Sequence, residues 1–250
     1  MELKRLERIG KFIHKYGVRH GVKLYLCLKL NKVSKLRVPG IKEPIFLRRD
    51  LTDKAIFDQI FLLDDYNITL PYPPKLIIDG GANIGLFTML MKNKFPDATI
   101  ICIEPDKENY EILKRNVSLY SNVKLINAGL WSKDTTLKVY DKYNEGKSAM
   151  IVEEDTNGNI EAISIDTLML KYSIERIDLL KLDIETSETE LFTKNYEHWL
   201  PKIKTIIIEL HDWMKGNCSR TFFEAINRCF KKYQYSHCGE NTVIINEDIQ

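Results

Sequence analysis

The chain has no run of 18 consecutive apolar residues, so no segment reads as a membrane-spanning helix. Its basic start is not followed by an uninterrupted apolar stretch, so no secretory signal peptide is expected. It has no C-x-x-C pair. The five cysteines, Cys27, Cys102, Cys218, Cys229 and Cys238, are scattered and odd in number, which points to a reduced, cytoplasmic protein. Cys102 lies in an apolar strand-like run and reads as a small buried hydrophobe. There is no G-x-S-x-G motif, and no cysteine has an evident histidine partner, which argues against nucleophilic catalysis. Glycine and proline together make only 20 of 250 residues, and no repeat or low-complexity tract occurs. With 44% apolar and 29% charged residues, the chain has the composition of a folded α/β protein.

What is present is unevenly distributed. Residues 1–40 hold eleven Lys or Arg against two acids, a net charge of +9, whereas the other 210 residues carry −7. Leu3, Leu6, Ile9 and Ile13 recur at helical spacing among these basic residues, and Gly17 is a plausible stop. Such a helix can lie on an anionic membrane surface or pack against the main domain. Residues 21–31 are compatible with a second helix or an extended piece. The segments KLRVPG and EPIFLRR read as two short strands joined through Pro39 and Gly40. LTDKAIFDQIFLL reads as a helix capped by Thr52 or Asp53. Pro71, Pro73 and Pro74 then close an N-terminal preface, 1–74.

From residue 75 strands and helices alternate: KLIIDGG, IGLFTMLMKNKF, ATIICIEP, KENYEILKRNVSLY, VKLINAGL. Uninterrupted apolar strands between helices indicate a parallel sheet covered on both faces. TLKVYD, SAMIVE and EAISI, near residues 135–165, are extended pieces that suggest an antiparallel β insertion or lid, and Asp166 opens a short helix. IDLLKLDI and KTIIIELH add two sheet strands, SRTFFEAINRCFKK is a helix, and YQYSHC with TVIINE closes as a hairpin around GEN. The expected fold of 75–250 is a Rossmann-like class I methyltransferase domain with a mainly parallel seven-stranded sheet and a C-terminal antiparallel hairpin.

The segment Asp79-Gly80-Gly81-Ala82-Asn83-Ile84-Gly85 joins the first buried strand to a helix, where glycines permit a tight turn and close approach of a nucleotide-like ligand. The spacing departs from G-x-G-x-x-G, and Gly85 is not followed by Lys-Ser or Lys-Thr, which excludes a P-loop. Glu104 ends the next strand, 25 residues after Asp79, where an acid can accept both ribose hydroxyls of an adenosine. This pair alone suits NAD or S-adenosylmethionine. An acid beside the helix start favours the methyl donor, which carries an ammonium and no pyrophosphate.

The segments PIFLRRDLTDKAIFDQIF, IIDGGANIGLFT, CIEPDKENYEILKRNV, NAGLW, SIDTL, LLKLDIE and IIIELH, in this order over about residues 38–211, resemble the FkbM family of S-adenosylmethionine-dependent methyltransferases. The resemblance implies methyl transfer, usually to oxygen, with acceptors among sugars, glycolipids and natural products. It implies that Asp79, Gly81, Asn83 and Gly85 surround the methionine part of the cofactor, that Glu104 holds the ribose, and that Asp106 and Asn127 lie near adenine. A strand-end Asn127 can equally cap its own turn. Thr52 and Asp53 resemble a threonine–serine–aspartate patch that approaches the cofactor, here without the middle serine. The family's Asp-x-Glu-Gly-x-Glu pattern reads Asp183-Ile184-Glu185-Thr186-Ser187-Glu188 in this chain, with Thr where a glycine would allow positive φ.

Asp183, Glu185, Glu209 and His211 fall at the C-terminal ends of adjacent predicted strands, the edge at which open α/β sheets bind ligands. His211 is the expected base or positioning group for an acceptor hydroxyl, with Asp183 or Glu185 as alternative bases or as groups that orient it. Asp183 or Glu188 can instead cap the following helix. Two acids and a histidine are also plausible metal ligands, though spacing does not show a metal and none is expected. The competing readings are an N-methyltransferase acting on protein or nucleic acid, a non-catalytic cofactor-binding scaffold, and a dehydrogenase. KLDIET stands where amine methyltransferases often carry an N-P-P-Y-like motif, which counts against the first. The expected partner is a small-molecule or glycan acceptor, with nucleic acid disfavoured. An inner membrane face is the peripheral seat for the basic helix if that helix does not pack.

Overall fold

The computed structural model describes residues 2–30, 35–48, 51–141, 150–185, 187–214 and 216–249. Its centre is a seven-stranded sheet. Five strands are parallel: β3 (Leu76–Gly80), β4 (Thr99–Ile103), β5 (Val123–Ile126), β10 (Ile177–Leu182) and β11 (Ile203–Glu209). The antiparallel hairpin of β12 (Tyr233–Cys238) and β13 (Asn241–Asn246) completes it beside β11, giving the order β12-β13-β11-β10-β3-β4-β5. This is the Rossmann-like class I methyltransferase arrangement expected from the sequence.

The apolar runs explain why both faces are covered. Successive residues of a strand point to opposite faces. Ile77, Ile100, Cys102, Leu179 and Ile207 enter one core, whereas their neighbours Ile78, Ile101, Ile103, Leu180 and Ile208 enter the other. The first face is covered by α3 (Leu86–Lys94), α4 (Lys107–Val117) and the N-terminal elements. The second is covered by α5 (Ile165–Lys171), the short α6 (Glu188–Leu191) and α7 (Cys218–Cys229). The cap of α5 is Ser164, whose hydroxyl accepts from the Thr167 amide at 3.1 Å, and not Asp166, which lies in the first turn.

The basic N-terminal segment is helical throughout α1 (Glu2–Leu30), broken only at Gly17, whose φ of 75° and ψ of 165° kink the helix and leave a second helical half where the sequence left helix or strand open. It packs: Phe12, Leu24, Tyr25 and Leu28 are buried in the first core, with Phe12 stacked 6.5 Å from Phe57. Arg8 pairs with Asp58 at 2.8 Å and Lys15 with Asp64 at 2.5 Å, fixing the helix to the rest of the preface. Among the described residues no helix is long and apolar enough to cross a membrane. The strands β1 (Lys35–Leu36) and β2 (Ile45–Phe46) pair antiparallel on either side of the Pro39-Gly40 turn. α2 (Leu51–Phe61) begins one residue before the expected caps; Asp53 reaches back instead, accepting from the Arg48 amide at 2.6 Å.

The extended pieces after β5 form a separate four-stranded sheet of β6 (Gly129–Leu130), β7 (Thr135–Asp141), β8 (Met150–Glu154) and β9 (Ile160–Ile163), in the order β6-β9-β7-β8. β7 is antiparallel to β8 and β9, while β9 runs parallel to β6. The start of the SAMIVE segment lies outside the described residues.

Candidate functional site

Strand order reverses between β3, which leads to β4 and β5, and β10, which leads to β11. Open α/β sheets form their ligand crevice outside the carboxyl ends of the strands at such a point. The glycine turn leaves β3 there. The amides of Gly81 and Ala82 both donate to the Ile103 carbonyl at 3.0 Å, folding the turn over the end of β4. Gly81 has a φ of +72°, and a Cβ on it would lie 1.8 Å from the Asp183 carbonyl oxygen. Only glycine lets the β3 turn and the end of β10 approach so closely.

On the β4 side stands Glu104. Its two carboxylate oxygens accept from the amides of Asn83 at 2.8 Å and Asp106 at 2.9 Å. Burial raises its carboxyl to about 7, against the pull of those two amides and of Asn109. The Asn83 side-chain oxygen is buried without a hydrogen-bond partner among the described residues. Asp106 caps α4 through the Asn109 amide at 2.8 Å. Asn127 donates its amide to the carbonyls of Glu104 at 2.8 Å and Pro105 at 3.1 Å, the capping alternative weighed for it, and it lines a cleft of about 590 Å³ with Ala128 and Thr135. Thr52 is exposed on α2. Asp53 is fully buried and its carboxylate is taken up by Arg48, whose guanidinium also donates to Asn109 at 2.7 Å. The preface therefore reaches Glu104 through Arg48 and Asn109, with Asp53 one step further back.

Asp79 does not open into the crevice. It is fully buried, accepts from the Thr88 hydroxyl at 2.7 Å and pairs with Lys181 at 3.4 Å. Lys181 also donates to the Gly81 carbonyl at 2.7 Å and lies 3.7 Å from Asp183. Burial works against its charge, but Asp79 and Asp183 outweigh it and hold the ammonium charged. Burial pulls the Asp79 carboxyl upward against Lys181. Lys181 was not singled out in the sequence, although a lysine within the apolar strand IDLLKL was a visible signal.

Asp183, Glu209 and His211 meet on the other side of the switch point. The imidazole Nε2 lies 3.5 Å from Glu209 and 3.8 Å from Asp183, while Nδ1 is 2.9 Å from Glu188. Glu188 also accepts from the Ile184 amide at 3.2 Å, so it holds both the loop and the ring. Its role toward His211 was missed; the signal was its place in the Asp-x-Glu-x-x-Glu spacing. Burial alone would lower the His211 pKa, but Glu188, then Asp183 and Glu209, raise it to about 9. An imidazolium has no lone pair for a substrate proton, so these surroundings favour His211 as a positioning group over the neutral base also weighed for it. Burial, then Asp183, pushes Glu209 up to about 7 and also raises Glu185. Glu185 itself takes a left-handed φ of 42°. Thr186, which stands where the family's pattern has glycine, lies outside the described residues.

A class I methyltransferase sheet with a glycine turn and acidic strand ends on both sides of its switch point defines the class of protein. Residues 79–237 match the family described as "Methyltransferase FkbM domain". Methyltransferase sdnD of Sordaria araneosa is 32% identical over 191 residues, covering 62% of this chain and 73% of that protein. Methyltransferase 1 of Beauveria bassiana (strain ARSEF 2860) is 29% identical over 183 residues, covering 63% of this chain and 73% of its own. The crystal structure of a methyltransferase FkbM from Methylobacillus flagellatus KT shares the fold, with a TM-score of 0.53 at 13% identity over 97% of this chain and 59% of that one. The chain belongs to the FkbM family of methyltransferases.

Proposed function

We propose that the chain moves a methyl group from S-adenosylmethionine to a hydroxyl oxygen of a sugar, glycolipid or natural-product acceptor. The observation that carries this reading is the division of the crevice by Gly81. A buried carboxylate, Glu104, stands on one side, and a polar cluster, Asp183, Glu209 and His211, on the other. When bound, S-adenosylmethionine supplies an electrophilic methyl on a sulfonium. The residues present fit that group: the buried, unpartnered Asn83 oxygen offers an acceptor inside the glycine turn, and the glycine leaves no Cβ in the way. Glu104 would hold the ribose, and Gly81, Asn83 and Gly85 would line the methionine part. Asp79 would act behind them by holding Lys181, and Asp106 and Asn127 would shape the adenine end. Asp183 or Glu209 takes the hydroxyl proton, since Nδ1 of His211 is committed to Glu188 and Nε2 faces those acids. Glu185, which follows β10 two residues after Asp183, would lie at the same edge.

A folded H211A or D183N variant should keep its affinity for S-adenosylhomocysteine and lose about 10²–10⁴-fold in transfer of labelled methyl to a hydroxylated acceptor. The product should be an O-methyl ether. An N-methyl product, or near-wild-type turnover by both variants, refutes the reading.

A further inference from the structure

We propose that Asp183, Glu209 and His211 form a binding site for one first-row divalent cation such as Mn²⁺, which would anchor the acceptor oxygen. The second clause rests on the function proposed above; the binding of the cation does not. One donor atom from each of the three residues lies within 4.8 Å of the other two. Donors about 2.1 Å from a shared ion stand about 3.0–3.4 Å apart, depending on the coordination geometry. The separations from the Nε2 atom are 3.5 Å to Glu209 and 3.8 Å to Asp183, so binding would draw them in by about 0.1–0.8 Å. They are long for hydrogen bonds to the same nitrogen, so the two acids face Nε2 as ion-pair partners at a distance that leaves room between them.

Glu188 supplies an independent observation. It is fully buried, and its second carboxylate oxygen has no partner among the described residues. Its first oxygen sits on Nδ1 of His211. The cation would displace the Nε2 proton of the imidazolium to solvent, and a carboxylate on Nδ1 then fixes the freed nitrogen toward the metal and makes it a better ligand. A buried, half-satisfied carboxylate behind a histidine suits an imidazole that carries positive load on its far side. The donor set also indicates the class of ion. An imidazole with two carboxylates suits Mn²⁺ and its first-row neighbours better than Mg²⁺, which prefers oxygen throughout. Asp183 and Glu209 are only half-buried, leaving room on the solvent side for an acceptor oxygen or water. In the transfer step the acceptor O–CH₃ bond forms as the S–CH₃ bond breaks. The electron pair of that bond stays on sulfur, and the hydroxyl proton passes to a carboxylate oxygen of Asp183 or Glu209 that the cation leaves free.

Trp213 reports on the site. Its ring lies 6.3 Å from the His211 ring and is 75% exposed, whereas Trp131 and Trp199 are buried. Chelator-treated protein titrated with MnCl₂ should bind one ion, read as loss of the free-aquo Mn²⁺ electron paramagnetic resonance signal and as quenching of tryptophan emission. W213F should lose the quenching and keep the resonance change. H211A and E209Q, checked for folding by circular dichroism, should lose Mn²⁺ binding. E188Q should weaken it by about 10–100-fold. Mn²⁺ that stays fully aquo with wild-type protein, or that binds equally to wild type, H211A and E209Q, overturns the site. The outcomes separate from the parent reading. Methyl transfer that persists under chelation with no Mn²⁺ binding sinks the metal and leaves the methyltransferase, whereas Mn²⁺ binding without S-adenosylhomocysteine binding sinks the cofactor reading and leaves the metal.

Discussion

Replacing Glu104 tests the cofactor side of the site most directly. In the folded protein this carboxylate is already buried and already held by two backbone amides, those of Asn83 and Asp106. A ribose bound there as proposed would meet an acceptor that has been desolvated and oriented before binding, so little of the hydrogen-bond strength would be lost to reorganisation. Each charged hydrogen bond is worth about 1.5–3 kcal/mol, and two hydroxyls together give at least about 3 kcal/mol. At about 1.4 kcal/mol per decade, E104A should weaken S-adenosylhomocysteine by about 100-fold or more in calorimetry. E104Q should resemble it, because the single amide oxygen can serve only one of the two backbone N–H donors and its NH₂ must face the other. Unchanged affinity in folded E104A refutes the assignment.

The same residue gives a pH signature whose two halves run in opposite directions. Burial raises the Glu104 carboxyl from 4.5 to about 7. A group raised on folding contributes most to stability below its unfolded value, and that contribution fades as pH rises from about 4.5 through about 7. Ribose hydroxyls need the ionised form, so cofactor affinity should instead rise through the same window. Wild-type protein should show both trends, and E104Q should show neither at this position. A pH-independent dissociation constant between pH 5.5 and 8 in wild type would contradict the buried, titrating carboxylate.

K181M strands Asp79 in the core and should cost about 3–5 kcal/mol in denaturant unfolding, with K181M/D79N recovering much of it; equal losses in the single and double variants would show that the pair is not coupled. G81A forces a Cβ onto the Asp183 carbonyl at a positive φ and should abolish S-adenosylhomocysteine binding while lowering the melting temperature; full affinity in G81A would place the cofactor elsewhere. The outer side of α1 leaves Leu6, Val18, Leu26 and Leu30 exposed beside Lys11, Arg19 and Lys29, so the protein should float with anionic liposomes and not with neutral ones; equal recovery on both would remove the membrane from its partners.

Those exposed leucines also show where sequence reading ran out. The pattern of α1 was legible, but a stripe that can dock on a membrane or on the protein's own domain carries the same periodicity. Only the burial of Phe12 and Leu24 against the first core shows that docking occurs. The parallel sheet was legible for a firmer reason. Strands apolar on both faces, such as IICI and TIII, have no stable place except between two layers. The misplaced caps failed through competition among neighbouring polar residues. Ser164 and Asp166 are both good cap formers, and the hydroxyl two residues earlier took the Thr167 amide.

At the site, sequence separated first contacts from supporting ones poorly, and the reason is topological. Asp79, Glu104, Asp183 and His211 all stand at or just beyond strand ends, so the rule that ligands gather at the carboxyl edge selects them equally. It does not say which way each side chain turns. Asp79 turns inward because Lys181, one register position across on β10, offers it a buried cation. His211 turns toward Asp183 and Glu209 because Glu188, brought back by the turn after β10, occupies its other nitrogen. Both orientations depend on partners about 100 and 23 residues away in sequence. The ligand edge follows from local pattern, whereas the division of labour along it follows from contacts across β3, β10 and β11. Lys181 and Glu188, which touch no expected ligand, are therefore the residues whose substitution should most change how the others act.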